Sequence, residues 1–412
     1  MSPRKGGRVE IKEVDGRFLL FKNGKPFFIK GGSGYTHMKE LAAAGGNTIR
    51  TWDTTNLGSI LDEAEKNHLS VIAGFYIPDS YLVKEFYNDS SKTSLMISSY
   101  LNVVKKYKNH PALLVWCVGN ELSFSLDQKQ SAFYETMETL LKGIRKADVD
   151  HPITTTILER KNIASIKLKL PYFDFISINT FSAIKQLTKH LSEISLFWNG
   201  PYLITEWSPI GGWEAETTAW QSPIENTSTK TAEQVFQYYE DYMPLNDKRF
   251  LGSLIFYWGS KEEYTHTWFS IFGDDDKPTE VLEAIRDSWK GRQSTRLSPQ
   301  IDYVLVDNEG ARDNILLAPG SEHIARLVPK QGADTSAFQF NWQLLKENWW
   351  SYLKQNPQKP EAEAGLFLDS SKSLIKFKAP ANEGPYRLYV TVSANNGYIA
   401  NANIPFYVVG NP

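Results

Sequence analysis

The clearest hydrophobic pattern in the chain is the unbroken apolar run Ala112–Val118, opened by His110-Pro111 and broken at Gly119 by two polar residues, Asn120 and Glu121. A continuous apolar run bounded by turn signals predicts a strand buried on both faces, as in a parallel sheet. Shorter runs of the same kind recur along the chain, separated by stretches whose apolar positions fall at helical spacing. The predicted strands are 27–31, 47–52, 70–77, 112–118, 152–158, 173–179, 202–205 and 251–258. The predicted helices between and after them are 37–44, 59–67, 94–108, 128–147, 163–168, 183–193, 232–243 and 279–289. Eight strand–helix pairs in about 265 residues define the fold class α/β and predict a (β/α)8 TIM barrel. A doubly wound sheet would need a phosphate-binding glycine turn after its first strand. Gly31-Gly32-Ser33-Gly34 lacks the spacing of that turn.

The two ends of the chain read differently. Residues 8–30 hold the turn dipeptides Asp15-Gly16 and Asn23-Gly24 between β-rich runs, which predicts a hairpin or small meander. Beyond 291–299 the strands are short and turn-bounded: 301–306, 322–328, 338–345, 374–378, 385–393 and 404–409. That spacing predicts a β-sandwich of about 115 residues with Trp342 in its core. The expected domains are therefore residues 1–26 as an N-terminal β-hairpin capping the barrel, 27–292 as the barrel, and 298–412 as an accessory β-sandwich.

Composition narrows the function. A net charge of −2 and the absence of any basic stripe argue against nucleic acid as a partner. The single cysteine, Cys117, lies inside the apolar run and reads as a buried structural thiol. No stretch approaches the ~20 apolar residues of a membrane span, and Met1–Gly7 carries no signal-peptide core. The expected location is periplasmic or extracellular with the signal segment outside this sequence, the cytoplasm being the alternative. The unusual feature is the aromatic content: 12 Trp, 20 Tyr and 22 Phe, with several Trp in predicted loops, where plain burial explains them less well.

In a barrel the strand C-termini share one mouth. They bring Arg50 and Trp52 (strand two), Asn120 and Glu121 (four), Asn179 and Phe181 (six), Glu206 and Trp207 (seven) and Trp258 (eight) to that end. Glu121 and Glu206 are 85 residues apart in sequence and face each other across the mouth. An acid and a carboxylate flanking one bond are the equipment of glycoside hydrolysis. One protonates the leaving oxygen and the other attacks as an anion. Arg50 would hold the attacking carboxylate ionised, and aromatic rings would offer flat faces to pyranose C–H surfaces.

Asn120-Glu121 ending strand four, Glu206 ending strand seven, Arg50 on strand two and Trp258 on strand eight resemble the pattern of clan A of the glycoside hydrolases. The segment from Lys30 to Trp289 is most similar to bacterial proteins of the glycoside hydrolase family 2 type, reduced to their barrel. Arg50-Thr51-Trp52, Tyr107-Lys108-Asn109-His110-Pro111 and Thr205-Glu206-Trp207 carry that likeness. The resemblance implies that Glu121 is the acid/base, Glu206 the nucleophile, and Asn120 the residue holding the sugar 2-hydroxyl. It implies a retaining mechanism without metal or organic cofactor, acting on a β-linked oligo- or polysaccharide such as a β-glucan. The C-terminal sandwich, with Gly384-Pro385-Tyr386-Arg387-Leu388, is similar to accessory immunoglobulin-like modules. Two departures stand out. Many clan members place a Tyr near the end of strand six to hydrogen-bond the nucleophile, where this chain has Phe181; Tyr35 or Tyr76 is the expected stand-in donor. The sugar-binding sandwich that precedes a family 2 barrel is replaced by the short hairpin.

The long loop after strand seven, with Trp213, and the segment around Trp268 are expected to line the cleft rather than only pack over the rim. His37 and Tyr35, after strand one, and Asn179 complete the expected sugar contacts. Gly273-Asp274-Asp275-Asp276-Lys277 lacks the ligand alternation of a calcium loop and reads as a solvated turn, leaving no expected metal site. Two other functions use the same sequence: a transglycosylase with a sugar acceptor in place of water, and a carbohydrate-binding protein on an inactive barrel.

Overall fold

The structure is a computed structural model, and it describes residues 8–333, 335–353, 357–367 and 371–410, with the side chains of 352 and 353 undescribed. Two compact units make up the chain: Met1–Trp207 with Tyr242–Phe256, and Ser208–Asp241 with Tyr257–Pro412.

The first unit opens with β1 (Val9–Val14), β2 (Arg17–Lys22) and β3 (Lys25–Pro26), an antiparallel three-stranded sheet. Its turns need positive φ at both central residues, which Asp15-Gly16 (51° and 71°) and Asn23-Gly24 (51° and 76°) supply. Val9 and Leu20 join an apolar cluster with Ile29, Leu203 and Leu251, which lie at the N-terminal ends of barrel strands. The meander therefore covers the end of the barrel opposite the strand C-termini.

Eight parallel strands follow: β4 (Ile29–Ser33), β5 (Thr48–Arg50), β6 (Ser70–Phe75), β7 (Leu113–Asn120), β8 (Ile153–Ile157), β9 (Ile176–Thr180), β10 (Tyr202–Trp207) and β11 (Phe250–Ile255). They pair in chain order and close, β11 against β4, into a TIM barrel. Strand β7 is buried from Leu113 to Gly119, as its apolar run predicts. Six helices lie in the same unit: α1 (Met38–Ala44), α2 (Leu57–Lys66), α3 (Ser90–Tyr107), α4 (Ser131–Ala147), α5 (Asn162–Lys169) and α6 (Leu187–Glu193). Helix α3 begins four residues before the start expected from apolar spacing. Asp89 caps it by accepting from the backbone N–H groups of Ser91 and Lys92 at 3.0 and 3.1 Å, so the polar first turn is helical without an apolar face.

The second unit holds α7 (Ser228–Tyr242, its last residue excepted), α8 (Glu280–Lys290) and two sheets. One sheet orders β12 (Ile301–Val306), β14 (Glu322–Pro329) and β16 (Leu374–Lys378). The other orders β13 (Leu316–Leu317), β18 (Ile399–Val408), β17 (Gly384–Ser393) and β15 (Gln339–Lys346). Both sheets contribute to one core, with Val304, Leu327 and Phe377 from the first and Trp342, Leu388 and Phe406 from the second. Strand β18 starts five residues earlier than its apolar content predicts. It pairs with β17 along its whole length, Gly384↔Val408 to Ser393↔Ile399, and so carries Asn401 and Asn403 inside the ladder.

Residues 294–298, where the sequence pattern changes, are pinned to α8. Glu283 accepts from the N–H groups of Leu297 and Ser298 at 3.0 and 3.1 Å, and Asp287 takes Ser294 N–H at 2.9 Å and Arg296 Nη1 at 2.8 Å. On β17, Arg387 is wholly buried and donates to Glu347 (2.8 Å), Asn403 (2.7 Å), Ser222 Oγ (2.8 Å) and Pro223 O (2.6 Å). This ties the segment after β10 to the second sheet.

Elsewhere in this unit, Glu262 has its carboxyl pushed up to about 7 by burial, only partly opposed by a hydrogen bond from Asn348, and its Oε2 is an orphaned buried acceptor. Because its folded value lies above its unfolded one, the native state holds this proton more tightly. The stability it contributes is full below the ordinary carboxyl range and is lost as pH rises through about 7. Glu262→Gln is therefore expected to raise the melting temperature more at pH 8 than at pH 4; an equal shift at both values would contradict the assignment.

Candidate active site

Both candidate carboxylates stand where a strand breaks register. The β7–β8 ladder shifts between Cys117 and Asn120, and the β9–β10 ladder shifts between Ile204 and Glu206. Bulges of this kind re-aim side chains at the ends of barrel strands. At the first, Gly119 has φ 86°, and a Cβ there would meet Leu122 Cδ1 at 2.5 Å, so the kink requires glycine. Two residues on, Glu121 itself has φ 55°, a strained conformation for a non-glycine residue, held by its N–H donating to Thr156 O at 2.9 Å.

Glu206 and Arg50 form a buried ion pair: Arg50 Nη1 donates to Glu206 Oε1 at 2.5 Å, with side-chain exposures of 1% for Arg50 and 7% for Glu206. Arg50 Nη2 donates to Asn120 Oδ1 at 2.6 Å and to Thr156 Oγ1 at 3.1 Å. Asn179, also buried, donates through Nδ2 to Glu121 Oε1 at 2.7 Å and to Asn120 Oδ1 at 3.3 Å, and accepts from Thr205 Oγ1 at 3.0 Å. The Thr205 and Thr156 hydroxyls are 3.3 Å apart and close a ring of hydrogen bonds linking both carboxylates to one cation. Glu206 is buried, whereas Glu121 is exposed. One carboxylate is thus fixed against a cation, and the other is held by an amide and reachable from solvent.

The sequence brings Arg50, Asn120, Glu121, Asn179 and Glu206 to one end of the barrel, and the structure binds them together there. It misses Thr156 and Thr205, whose only signal is a hydroxyl inside an otherwise buried strand. The expected tyrosine stand-ins are corrected: Tyr35 and Tyr76 are exposed at 44% and 60%, and the second donor on Glu206 is the Trp52 indole, Nε1 to Oε1 at 2.8 Å. His37 caps α1 in a left-handed conformation, with Nδ1 3.0 Å from Thr36 Oγ1. Trp207 is buried at 1% exposure and presents no open ring face, unlike the rim role expected of it.

Trp213, Trp258 and Trp268 lie in the second unit. Trp258 is fully buried, stacked on Trp289 with ring centroids 6.3 Å apart. Trp213 is half exposed beside Phe269. Trp268 donates to Ile210 O at 3.2 Å and lines a small pocket with Ser208, Glu225, Asn226 and Gln234. Among the described residues, no group of three or more His, Cys, Asp or Glu is placed to hold a metal ion, and no helix is long and apolar enough to cross a membrane.

Taking away Arg50 leaves a buried carboxylate without its cation. Arg50→Met is expected to lower the unfolding free energy by about 3–5 kcal/mol in denaturant titration. Arg50→Lys should recover only part of that, because a single ammonium cannot serve Glu206, Asn120 and Thr156 together.

Residues 58–209, which include Glu121 and Glu206, match the family model of the TIM barrel domain of glycosyl hydrolases family 2. Over those residues the barrel is similar to the TIM barrel domain of the family 2 glycosyl hydrolases. The chain is 29% identical over 199 residues to the β-glucuronidase of Mus musculus, covering 43% of this chain and 28% of that protein. It is 26% identical over 249 residues to the β-glucuronidase of Sus scrofa, covering 56% and 34% respectively. The match thus spans about a third of the length of these curated relatives. In fold, the chain is similar to the β-glucuronidase of Bifidobacterium dentium in complex with coumarin-3-O-glucuronide, with TM-score 0.52 and 18% identity over 69% of this chain and 49% of the other.

Proposed function

We propose that the protein is a retaining β-glycosidase that cleaves a β-linked sugar by double displacement, with Glu206 as nucleophile and Glu121 as acid/base. The observation that carries this reading is the ring of hydrogen bonds joining two unlike carboxylates: Glu206 buried against Arg50, and Glu121 exposed and held by Asn179. The guanidinium 2.5 Å away fixes the side-chain oxygen that it pairs with. An acid/base must protonate a leaving oxygen and later activate water, so it needs access to both, which the exposed Glu121 has.

In the first step Glu206 attacks the anomeric carbon while the Glu121 proton passes to the departing oxygen. A glycosyl ester forms on Glu206 as the glycosidic bond breaks. In the second step Glu121 takes a proton from water, whose oxygen attacks the anomeric carbon and releases Glu206. Asn120, held by Arg50 at 2.6 Å, is placed to meet the sugar 2-hydroxyl. In this reading the two C-terminal sheets are an immunoglobulin-like accessory module with no part in the chemistry.

The likeness to β-glucuronidases makes a β-glucuronide the first substrate to try, beside β-glucosides, β-galactosides, β-mannosides and β-glucan oligosaccharides. Wild type and Glu206→Gln are incubated with each and the products resolved by size. Shorter products from wild type alone support the hydrolase, longer products indicate transfer to a sugar acceptor, and binding without conversion indicates an inactive barrel.

A further inference from the structure

The Arg50 ion pair explains only part of how Glu206 is held. Two N–H donors converge on one oxygen, Oε1: Arg50 Nη1 at 2.5 Å and Trp52 Nε1 at 2.8 Å. Among the described residues no donor is placed on Oε2. The indole that supplies the second donor is held in turn by its neighbours. The Arg50 guanidinium carbon lies 5.4 Å from the Trp52 ring centroid, and Phe256 meets the ring edge-on, with centroids 6.2 Å apart at 90°. Phe256 is itself met edge-on by Phe181, at 5.9 Å and 83°, and its backbone N–H donates to Trp207 O at 2.8 Å, one residue beyond Glu206. Phe256 and Phe181 are both buried.

We propose that Trp52 is a positioning residue for the nucleophile. Its indole N–H, aligned by the Phe181–Phe256 pair, shares Oε1 with Arg50 and leaves Oε2 as the attacking oxygen. The proposal rests on Glu206 being the nucleophile. Edge-to-face pairs fix ring orientation as well as burying area, and an N–H donor to an anion is shorter and stronger than one between neutral groups. Phe181 thereby has a task at the end of β9: with no hydroxyl to offer, it orients a donor that comes from β5 instead. The charged groups facing Glu206 are Arg50 on β5 and, through Asn179, Glu121 after β7.

Trp52→Phe keeps the ring and removes the N–H; Phe256→Leu keeps the N–H and removes its alignment. On whichever aryl β-glycoside wild type hydrolyses best, Trp52→Phe is expected to lower kcat/KM by about 10- to 100-fold, with the loss falling on kcat rather than on KM, since the donor that aligns the attacking carboxylate is lost. Phe256→Leu should lower kcat/KM in the same way by less. A readout independent of turnover is the indole N–H resonance of Trp52 in a ¹⁵N-labelled sample, assigned by its loss in Trp52→Phe. It is expected to shift upfield in Glu206→Gln, where the carboxylate partner is gone. A loss carried by KM alone, or an indole resonance indifferent to Glu206→Gln, overturns the role of Trp52 while leaving the glycosidase reading intact. Full activity in Glu206→Gln instead overturns the reading on which it rests.

Discussion

Glu206→Gln is expected to lower kcat by on the order of 10⁴- to 10⁶-fold on every substrate the wild type turns over, equivalent to about 5–8 kcal/mol of lost transition-state stabilisation. The amide is nearly isosteric with the carboxylate, so Arg50 and Trp52 can keep their contacts to the side-chain oxygen and the barrel should fold. What is lost is the anionic oxygen that forms the glycosyl ester. Losing one partner's charge also leaves Arg50 buried and unpaired at 1% exposure. A fall in stability of a few kcal/mol should therefore accompany the loss of rate. The two effects separate cleanly: far-ultraviolet circular dichroism and a cooperative melt report the fold, and added azide tests whether a small external anion can do the work of the missing carboxylate.

Glu121→Gln should behave differently, and the contrast is the second large effect. Its loss should depend on the leaving group. A phenol of low pKa departs with little protonation, so the first step on such a substrate is spared, while a sugar leaving group loses the full benefit of general acid catalysis, about 10²- to 10⁴-fold. The alkaline limb of the rate profile should disappear in the same variant. Equal losses on both kinds of leaving group would remove Glu121 from the acid role. Asn179 bears on this directly. Its Nδ2 holds Glu121 Oε1 at 2.7 Å, and its own oxygen is held by Thr205 on the nucleophile's strand, so a shift of either strand end is felt at both carboxylates.

The barrel was legible in the sequence because its signal is one-dimensional. The run Ala112–Val118 is apolar from end to end, and only a sheet buried on both faces asks for that. Strand ends were legible for the same reason, since Gly119-Asn120-Glu121 and Thr205-Glu206 interrupt such runs. Helix starts were not, where a cap rather than an apolar face sets them: Asp89 begins α3 on a polar turn. The donors on the carboxylates were only half legible. Arg50 could be paired with Glu206 because charge implies a partner, but the Trp52 indole N–H acquires meaning only when the barrel brings it within 2.8 Å of Glu206 Oε1. Thr156 and Thr205 were invisible for a related reason: a hydroxyl in a buried strand must find a partner, but the sequence does not say which. Trp207 fell on the wrong side of the same ambiguity, since an aromatic at a strand end can face the cleft or the core, and here it is in the core.

The most direct test of the proposed chemistry is the anomeric configuration of the first-formed sugar, followed by ¹H NMR during rapid hydrolysis of an aryl β-glycoside by the wild-type protein. Double displacement through Glu206 inverts the anomeric carbon twice, so the β-anomer should appear first and the α-anomer only later, at the rate of mutarotation. Initial release of the α-anomer would mean that water attacks directly, and that Glu206 serves as a base rather than a nucleophile.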